Sequence, residues 1–255
     1  MCSFMEYYQS DLLTTLGSSA RIWAQSGRHE VHPEWWIALS GQSNVGMNMA
    51  CCQSSNPAVL KEHCLQQILE NAKPGIILLG GPGLSTAQSL VDVGWVTVNA
   101  MPLMLLTSPP ATGPDKSSVD LLTLDELPLA RKLLADTLAL DAAGAEALLP
   151  DSVIGSNDKW AWGLKEAGQL ISTVTIVREG DLAVVWSMAT RSESRGRGHG
   201  RRLLEVVLHD QFDSGAQGSL LHSSKAGESL YRSLGYSVVE YLQLWSRPRW
   251  VLGSA

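Results

Sequence analysis

The residues with the clearest chemical potential lie in residues 191–202, where arginines and glycines are concentrated. Gly196, Gly198 and Gly200 occupy alternate positions, and glycine lets a backbone approach a ligand and turn its N–H groups toward it. A strand-like run at 182–190 precedes this loop, and a helical pattern follows it. The first N–H groups of a helix have no partner within the helix and carry the positive end of its dipole. Strand, glycine-rich loop and helix start therefore predict an anion site, most often one for phosphate.

Composition and charge limit the class of protein. Hydrophobic residues make up 45% of the 255 residues, which is enough for a core in one large domain or two ordinary ones. The formal net charge of −6 argues against a general nucleic-acid binder. Basic residues are unevenly placed, because residues 1–110 contain four and residues 191–202 contain five. We therefore expect the basic patch to bind a small polyanion and no nucleic acid.

The sequence does not predict a metal site, a secreted protein or a membrane protein. The four cysteines include no Cys-x-x-Cys pair, and His29 and His32 have no further candidate ligand close in sequence. The N-terminus lacks the basic and apolar regions of a signal peptide. Apolar runs such as 98–106 are too short to span a bilayer. We expect a cytoplasmic protein, monomer or homodimer, with no metal and no membrane contact.

Hydrophobic periodicity and turn residues predict an α/β fold in two halves. Residues 108–115 contain three prolines and a glycine, which is typical of a linker. The expected domains are 1–106 and 116–255, joined by a linker at 107–115. Helices are predicted at 4–26, 56–72, 84–93, 124–140, 142–149, 226–234 and from the glycine-rich loop to about 212. Strands are predicted at 35–39, 45–52, 75–79, 95–106 with an interruption at Pro102, 159–165, 169–177, 182–190, 219–223 and 236–245.

Both halves repeat one order of elements: helix, hairpin, helix, short strand, short helix ending at a glycine, and long strand. We interpret this order as a diverged internal duplication. The first half has no glycine between Gly46 and Gly75, and Leu90 stands where the second half has Tyr231. The first half is therefore expected to be a structural or substrate-shaping domain without an anion loop.

Two motifs of the second half resemble those of the GNAT superfamily of N-acetyltransferases. The superfamily signature Arg/Gln-x-x-Gly-x-Gly/Ala is matched by Arg-Gly-Arg-Gly-His-Gly at 195–200. The downstream signature Leu-Tyr-x-x-x-Gly-Phe/Tyr is matched by Leu-Tyr-Arg-Ser-Leu-Gly-Tyr at 230–236. The resemblance covers about 115–246 well and 1–106 only as a faded copy. It implies tandem GNAT-like folds, each a mixed, mostly antiparallel sheet flanked by helices, with only the second half competent.

The resemblance also implies a site for acetyl-CoA, used as a cosubstrate whose acetyl group passes to an amine of a small molecule or peptide. Backbone N–H groups of residues 197–201 would hold the pyrophosphate, and backbone groups of 188–190 would pair with the pantetheine arm. Tyr231 would lie near the sulfur and protonate the leaving thiolate as the catalytic acid. The residues that the resemblance assigns to the cosubstrate are Met188, Ala189, Thr190, Arg195, Gly196, Arg197, Gly198, His199, Gly200, Arg201 and Ser224.

The sequence departs from the superfamily pattern at three places. Ser192 replaces a common proline, and Ser224 stands where an asparagine that contacts the pantetheine is frequent. The strand at 182–190 has no carboxylate, whereas some members place a catalytic glutamate there. The base that accepts the proton of the amine therefore stays open between a water chain, Glu193, Glu166 and a residue of the first half.

Other residues near these motifs have both a structural and a functional interpretation. His199 is expected to point to solvent without a catalytic role, and His222 is either a core histidine or a substrate contact. Trp160 and Trp162 share one side of a strand, where they form part of the core or an aromatic wall for an amine. The five arginines of the loop are expected to contact the phosphates of the cosubstrate.

Two other functions fit parts of the sequence. A non-catalytic acyl-CoA-binding or regulatory module would keep the fold without the chemistry, and the missing strand carboxylate favours it while Tyr231 opposes it. An RNA-binding Arg-Gly protein is disfavoured by the net charge.

Overall fold

The computed structural model of the chain describes residues 9–111, 113 and 115–252. Its first half alternates short helices with strands. These are, in chain order, α1 (Gln9–Ser19), β1 (Arg28–His32), β2 (Trp35–Leu39), β3 (Asn48–Cys52), α2 (Pro57–Val59), α3 (Gln66–Glu70), β4 (Ile76–Leu79), α4 (Gln88–Val91) and β5 (Val96–Leu106). A π-helical segment, Leu60–Leu65, joins α2 to α3, so that the two form one continuous helix.

The second half has longer helices and strands. They are, in chain order, β6 (Val119–Leu121), α5 (Leu127–Leu138), α6 (Ala142–Leu148), β7 (Lys159–Glu166), β8 (Gln169–Glu179), β9 (Leu182–Thr190), α7 (His199–Asp213), β10 (Gly218–His222), α8 (Glu228–Ser233), β11 (Ser237–Ser246) and α9 (Pro248–Leu252). A 3-10 turn at Ser192–Ser194 precedes the glycine-rich loop.

The chain folds into two compact units, and the first comprises residues 1–101 and 239–255. Its strands are paired in the order β1–β2–β3–β4–β11, and every pair except the parallel β3–β4 is antiparallel. The continuous helix at 57–70 packs Leu60, Cys64 and Ile68 on this sheet, and all three are fully buried. The first unit is therefore a mixed, mostly antiparallel sheet with a helix against it.

The second unit comprises residues 102–238. Its strands are paired in the order β5–β10–β9–β8–β7–β6, and only β9–β10 is parallel. Helix α7 packs against β7, β8 and β9. Its apolar face is fully buried, and each such side chain stabilises the fold by about 1.5–3 kcal/mol. The residues of this face are Leu203, Leu204, Val207 and Leu208. Their packing fixes the start of α7 relative to the end of β9.

Most predicted elements are confirmed. Strands β2 and β9 have the predicted bounds, β2 and β3 form the predicted antiparallel pair, and so do β7 and β8. Asn56 caps the helix at Pro57, because its Oδ1 accepts the N–H of Ala58 at 3.0 Å. Local patterning therefore predicts nearly all of the elements that surround the candidate site.

Four elements differ from the prediction. Strands β1 and β6 were not predicted, since β1 is mostly exposed and charged and β6 has only three residues. Strand β5 continues through Pro102, whose carbonyl accepts the N–H of Ser223 at 2.9 Å. The helix predicted at 4–26 ends its α-helical part at Ser19, and its residues 4–8 lie outside the described part of the chain.

The compact units do not coincide with the predicted boundaries at 106 and 116. Residues 103–106 of β5 pair with β10 and so belong to the second unit. Residues 243–245 of β11 pair with β4 and so belong to the first unit. The expected linker at 107–115 lies partly on residues 112 and 114, which are outside the described residues. The linker therefore joins two segments of the second unit.

Among the described residues, no helix combines the length and the apolar character that crossing a bilayer requires.

Candidate active site

The parallel strands β9 and β10 separate partway along their length. The first paired residues are Leu182 with Gly218 and the last are Val184 with Leu220, although both strands continue beyond that pair. The register between β8 and β9 shifts between Thr173 and Thr175, which marks a β-bulge. Ser187 lies at this bulge with φ +54°, a left-handed conformation that is rare outside glycine. Beyond it, β9 follows β8, so a wedge opens between β9 and β10.

The corresponding strands of the first half do not separate. All four residues of β4 pair with β3, and the N–H of Gly80 then continues the contact to the carbonyl of Cys52 at 3.2 Å. Leu90, which takes the sequence position of Tyr231, is fully buried in an apolar core. The first half therefore has neither a wedge nor a hydroxyl at this position.

The glycine-rich loop exposes a row of main-chain donors beside the wedge. Gly196 and Gly198 have φ +73° and +82°, and an added Cβ at either would meet no atom within 4 Å. Within the described residues, the N–H groups of residues 196–201 donate no hydrogen bond, and the first helical bond joins Arg202 N–H to Gly198 C=O. Six consecutive free donors at the start of a 15-residue helix form a site for an anion.

Gly200 brings this row of donors against the end of β9. A Cβ at Gly200 would lie 3.0 Å from Met188 Cε and 3.4 Å from Thr190 Oγ1, and 3.6 Å from Leu230 Cδ2 on α8. The absence of a side chain therefore allows the first turn of α7, strand β9 and helix α8 to meet. The donors and the wedge form one continuous surface.

Only one of the five arginines has a guanidinium without a partner in the described part of the chain. Arg191 and Arg195 donate through Nε to the carbonyls of Leu170 and Thr190, at 2.6 and 3.1 Å. Arg201 pairs with Glu205 at 2.9 Å, and Arg202 pairs with Asp115 at 3.0 Å. Exposed Arg197 makes no such contact. That all five arginines contact phosphate stays a prediction, and Arg197 fits it best because its guanidinium has no partner among the described residues.

His199 does not point to solvent as predicted. Its ring is buried, and Nδ1 lies 3.3 Å from Oε1 of Glu166 in the turn between β7 and β8. The side chain therefore anchors the start of α7 to that turn, and only the backbone of His199 faces the anion site.

Both carboxylates proposed as the base already contact other side chains of the loop region. Glu166 is turned toward His199. Glu193 accepts a hydrogen bond from the Ser192 hydroxyl at 3.0 Å, and its carboxylate lies 3.7 Å from the Arg191 guanidinium. A hydrogen bond from its own backbone N–H, and after it these two contacts, holds the pKa of the Glu193 carboxyl below its usual range. Both groups serve the loop itself.

Tyr231 lies in α8, on the side of the helix that packs on the core, and its side chain is buried. Its ring lies edge-on to Tyr236 with centroids 5.8 Å apart, and within the described residues its hydroxyl makes no hydrogen bond. Burial raises the pKa of Tyr231 to about 12, so the phenol stays protonated at neutral pH. By contrast, the Tyr236 hydroxyl is held 2.6 Å from Ser219 Oγ. Tyr231 therefore keeps a proton that it can offer to a ligand.

Ser224 shapes the turn that leads into α8. Its Oγ accepts the N–H of Gly227 at 3.3 Å, and its carbonyl accepts the N–H of Glu228 and the hydroxyl of Ser223. A Cβ at Gly227 would lie 3.0 Å from the Tyr231 ring. The hydroxyl proton of Ser224 can still be donated to a ligand.

The tryptophans predicted as core or aromatic wall belong to the core. Trp162 is one of the buried members of the cluster that contains Tyr231, and Trp160 packs against that cluster. The aromatic contact near the wedge is made instead by Trp186 and His222, whose rings meet edge-to-face. Strand alternation would have placed Trp186 on the face opposite Val185, but no local signal marks the bulge at Ser187.

The described residues contain no cluster of three or more His, Cys, Asp or Glu side chains suited to hold a metal ion. Cys51, Cys52 and Cys64 are buried free thiols in the first unit.

Comparison with known proteins agrees with this geometry. The family model described as an acetyltransferase (GNAT) domain matches residues 157–238. Several solved structures with TM-scores above 0.5 match most of the chain, among them the three that follow. A GCN5-related N-acetyltransferase from Kribbella flavida is 18% identical, with a TM-score of 0.67 over 92% of this chain and 96% of that chain. One from Sphaerobacter thermophilus is 14% identical, with a TM-score of 0.61 over 84% and 76%. A GCN5-related N-acetyltransferase-like protein from Streptococcus suis is 13% identical, with a TM-score of 0.53 over 92% and 99%.

At these identities the structural matches establish the fold, and a comparison with curated proteins finds no matching sequence. The family match spans β7 to α8, which includes the wedge, the donor row and Tyr231. Residues 157–238 therefore match the acetyltransferase domain of the GNAT superfamily, and the chain has the fold of the solved GCN5-related N-acetyltransferases.

Proposed function

We propose that this protein transfers the acetyl group of acetyl-CoA to an amine by direct attack of the amine on the thioester. The observation that carries the proposal is the contact at Gly200, which joins six free N–H donors to the open edge of β9. A ligand that fits this surface needs an anionic group at one end and an extended polar chain at the other. A CoA thioester has both.

The donor row suits the pyrophosphate. Within the described residues, the backbone N–H groups of residues 196–201 have no acceptor and lie at the positive end of α7, and Arg197 adds a free positive charge. Gly198 is essential to this arrangement, because φ +82° is strained for any residue with a Cβ.

The edge of β9 suits the pantetheine arm. Met188, Ala189 and Thr190 lie beyond the last pair with β10, so that edge is open for an added strand. The Arg195 side chain and the Ser172 hydroxyl hold Thr190 from within the protein, at 3.1 and 2.8 Å. A fixed edge lowers the entropy that a bound chain must lose.

Tyr231 is the proposed general acid. As the C–N bond forms and the C–S bond breaks, negative charge develops on sulfur, and a neutral phenol can donate to it. A pKa of about 12 makes the phenol a weak acid toward a thiolate in water. The same burial also raises the pKa of a thiolate that leaves in this site, so donor and acceptor remain matched. Because Glu166 and Glu193 are engaged, the proton of the amine leaves through water.

The test is release of free thiol from acetyl-CoA in the presence of amines such as spermidine, kanamycin, lysine and a peptide with a free N-terminus. Replacing Tyr231 by phenylalanine is expected to slow release on the best amine by about 10²-fold, in the range of lost general-acid catalysis. Affinity for acetyl-CoA is expected to stay within about threefold. Tyr236→Phe is the matched control, since its hydroxyl serves Ser219. An equal effect of both variants on the rate would contradict the catalytic role of Tyr231.

A non-catalytic acyl-CoA-binding module remains the second candidate function. It is favoured by one observation, that β9 lacks a carboxylate while Glu166 and Glu193 have partners inside the protein. Tight binding of acetyl-CoA with no thiol release on any amine would support it over the transferase.

A further inference from the structure

Two aromatic rings bridge the wedge where β9 and β10 begin to separate. The rings of Trp186 and His222 have centroids 5.2 Å apart and planes at 67°, a close edge-to-face contact. Trp186 is 6% exposed, and His222 is half-buried with its Nδ1 sealed from solvent. The contact therefore covers one face of the sheet at the point where the two strands separate.

The register places this contact directly beyond the last backbone pair. Val184 pairs with Leu220, and two residues further along both strands stand Trp186 and His222. The next residue of β9 is Ser187, where the bulge turns the strand toward β8. The ring pair is thus the closed end of the wedge, and residues 188–190 line its open part.

The ring pair and Tyr231 lie on opposite faces of the sheet. Side chains alternate along a strand, and the core cluster that contains Tyr231 includes Val185 and Leu221. Trp186 and His222 follow these two residues and contact each other on the other face. A group held between the strands therefore has Tyr231 on one side and the ring pair on the other.

Two buried polar atoms beside this end of the wedge have no partner within the described residues. They are Ser187 Oγ and His222 Nδ1. Buried polar atoms are nearly always hydrogen-bonded, and exceptions mark sites where a ligand or water supplies the partner. A hydroxyl can donate to a carbonyl, which an acyl thioester carries. The polar atoms at the closed end can therefore bind an acyl carbonyl. The two rings can block the carbon chain of a longer acyl group.

We infer that the Trp186–His222 pair is the end wall of the acyl site and restricts the donor to short acyl groups, acetyl above all. This inference rests on the proposed function, because the pantetheine arm must run from the donor row along residues 190–188 toward Ser187. The acyl group then meets the ring pair. Protein interiors are close-packed, so each added methylene has to displace a ring or find another path.

The experiment compares the affinities of the wild-type protein for acetyl-CoA, butyryl-CoA and octanoyl-CoA by titration calorimetry, which requires no acceptor amine. Butyryl-CoA is expected to bind at least about 10-fold more weakly than acetyl-CoA, the scale at which pockets discriminate added methylenes. Octanoyl-CoA is expected to bind more weakly still. In Trp186→Leu the three affinities are expected to converge to within about threefold.

Two further variants separate the wall from general loss of packing. His222→Ala removes the other ring of the pair. Because this ring is smaller than that of Trp186, the variant can still be tested if Trp186→Leu does not fold. Trp160→Leu is the matched control, because Trp160 packs against the core of the same unit, and it is expected to retain the preference for acetyl-CoA. Equal binding of all three thioesters by the wild type would overturn this inference but not the proposed function. An unchanged preference for acetyl-CoA in both Trp186→Leu and His222→Ala would do the same. Failure of the wild type to bind any thioester would instead overturn the proposed function.

Discussion

Tyr231 and His222 are titratable side chains that burial affects in opposite directions. Burial disfavours the charged form of each, so it raises the pKa of Tyr231 to about 12 and lowers the pKa of His222 to about 4. Both side chains are therefore neutral at neutral pH. A neutral phenol can donate a proton, and a neutral imidazole can contact Trp186 edge-to-face without a charge in the wedge.

The low pKa of His222 predicts a loss of stability in acid. A histidine in an unfolded chain has a pKa near 6.5, so between about pH 6.5 and 4 the unfolded chain binds a proton that the folded protein does not. The contribution is present above pH 6.5 and is lost as the pH falls through this window. The full shift corresponds to a loss of about 3 kcal/mol.

Urea denaturation at pH 7.5 and pH 4.5 measures this loss. His222→Asn is expected to lose less free energy of unfolding between the two pH values than the wild type. His209→Asn, on α7, is the control and is expected to follow the wild type. Parallel acid losses in wild type and His222→Asn would show that another group is responsible.

At the scale of elements, the site depends on how one loop and one strand are held. Gly198 supplies a left-handed backbone at the start of α7, and Ser187 supplies another at the bulge of β9. The glycines could be predicted from sequence because their spacing is a local pattern. The bulge could not, since no local preference of serine favours φ +54° and only the packing of β9 against β8 maintains it. The Glu166–His199 contact likewise depends on tertiary packing, which periodicity does not report.

Replacing Gly198 by valine tests the loop. A Cβ at φ +82° costs about 1–2 kcal/mol and turns the N–H groups of the donor row. We expect the affinity for acetyl-CoA to fall by more than 10-fold in a titration. Gly180→Val is the matched control, because Gly180 has φ +54°, has open space at its Cβ and lies in the turn between β8 and β9. It is expected to lose similar stability and keep its affinity, and unchanged binding in Gly198→Val would refute the anion site.

At the scale of the whole molecule, strands β5 and β11 are each divided between the two compact units. Residues 103–106 complete the sheet of the second unit through β10, and residues 243–245 complete that of the first unit through β4. The repeated order of elements could be predicted from the sequence, because hydrophobic residues recur with a different period in helices and in strands. The partners of β5 and β11 could not, since strand pairing is set by contacts distant in sequence.

This arrangement predicts different outcomes for a cut chain and a fragment. A chain cleaved by a protease site inserted at residue 111 after folding is expected to remain together on gel filtration and to keep its unfolding temperature within a few degrees. Residues 116–255 expressed alone would lack the β5 segment that pairs with β10 and the β4 segment that pairs with β11. Such a fragment is expected to aggregate, because it exposes an unpaired edge strand. A monomeric, cooperatively unfolding fragment would contradict the assigned pairing.

The pairing of β11 with β4 also has a consequence for the order of events at the ribosome. Residues 243–245 are synthesised after the whole of the second unit, yet they belong to the sheet of the first. During translation the first unit therefore waits with the edge of β4 open, while the unit that carries the donor row can already close. The part of the chain that is made first is the last to be completed, and its exposed β4 edge is where a nascent-chain chaperone would be needed.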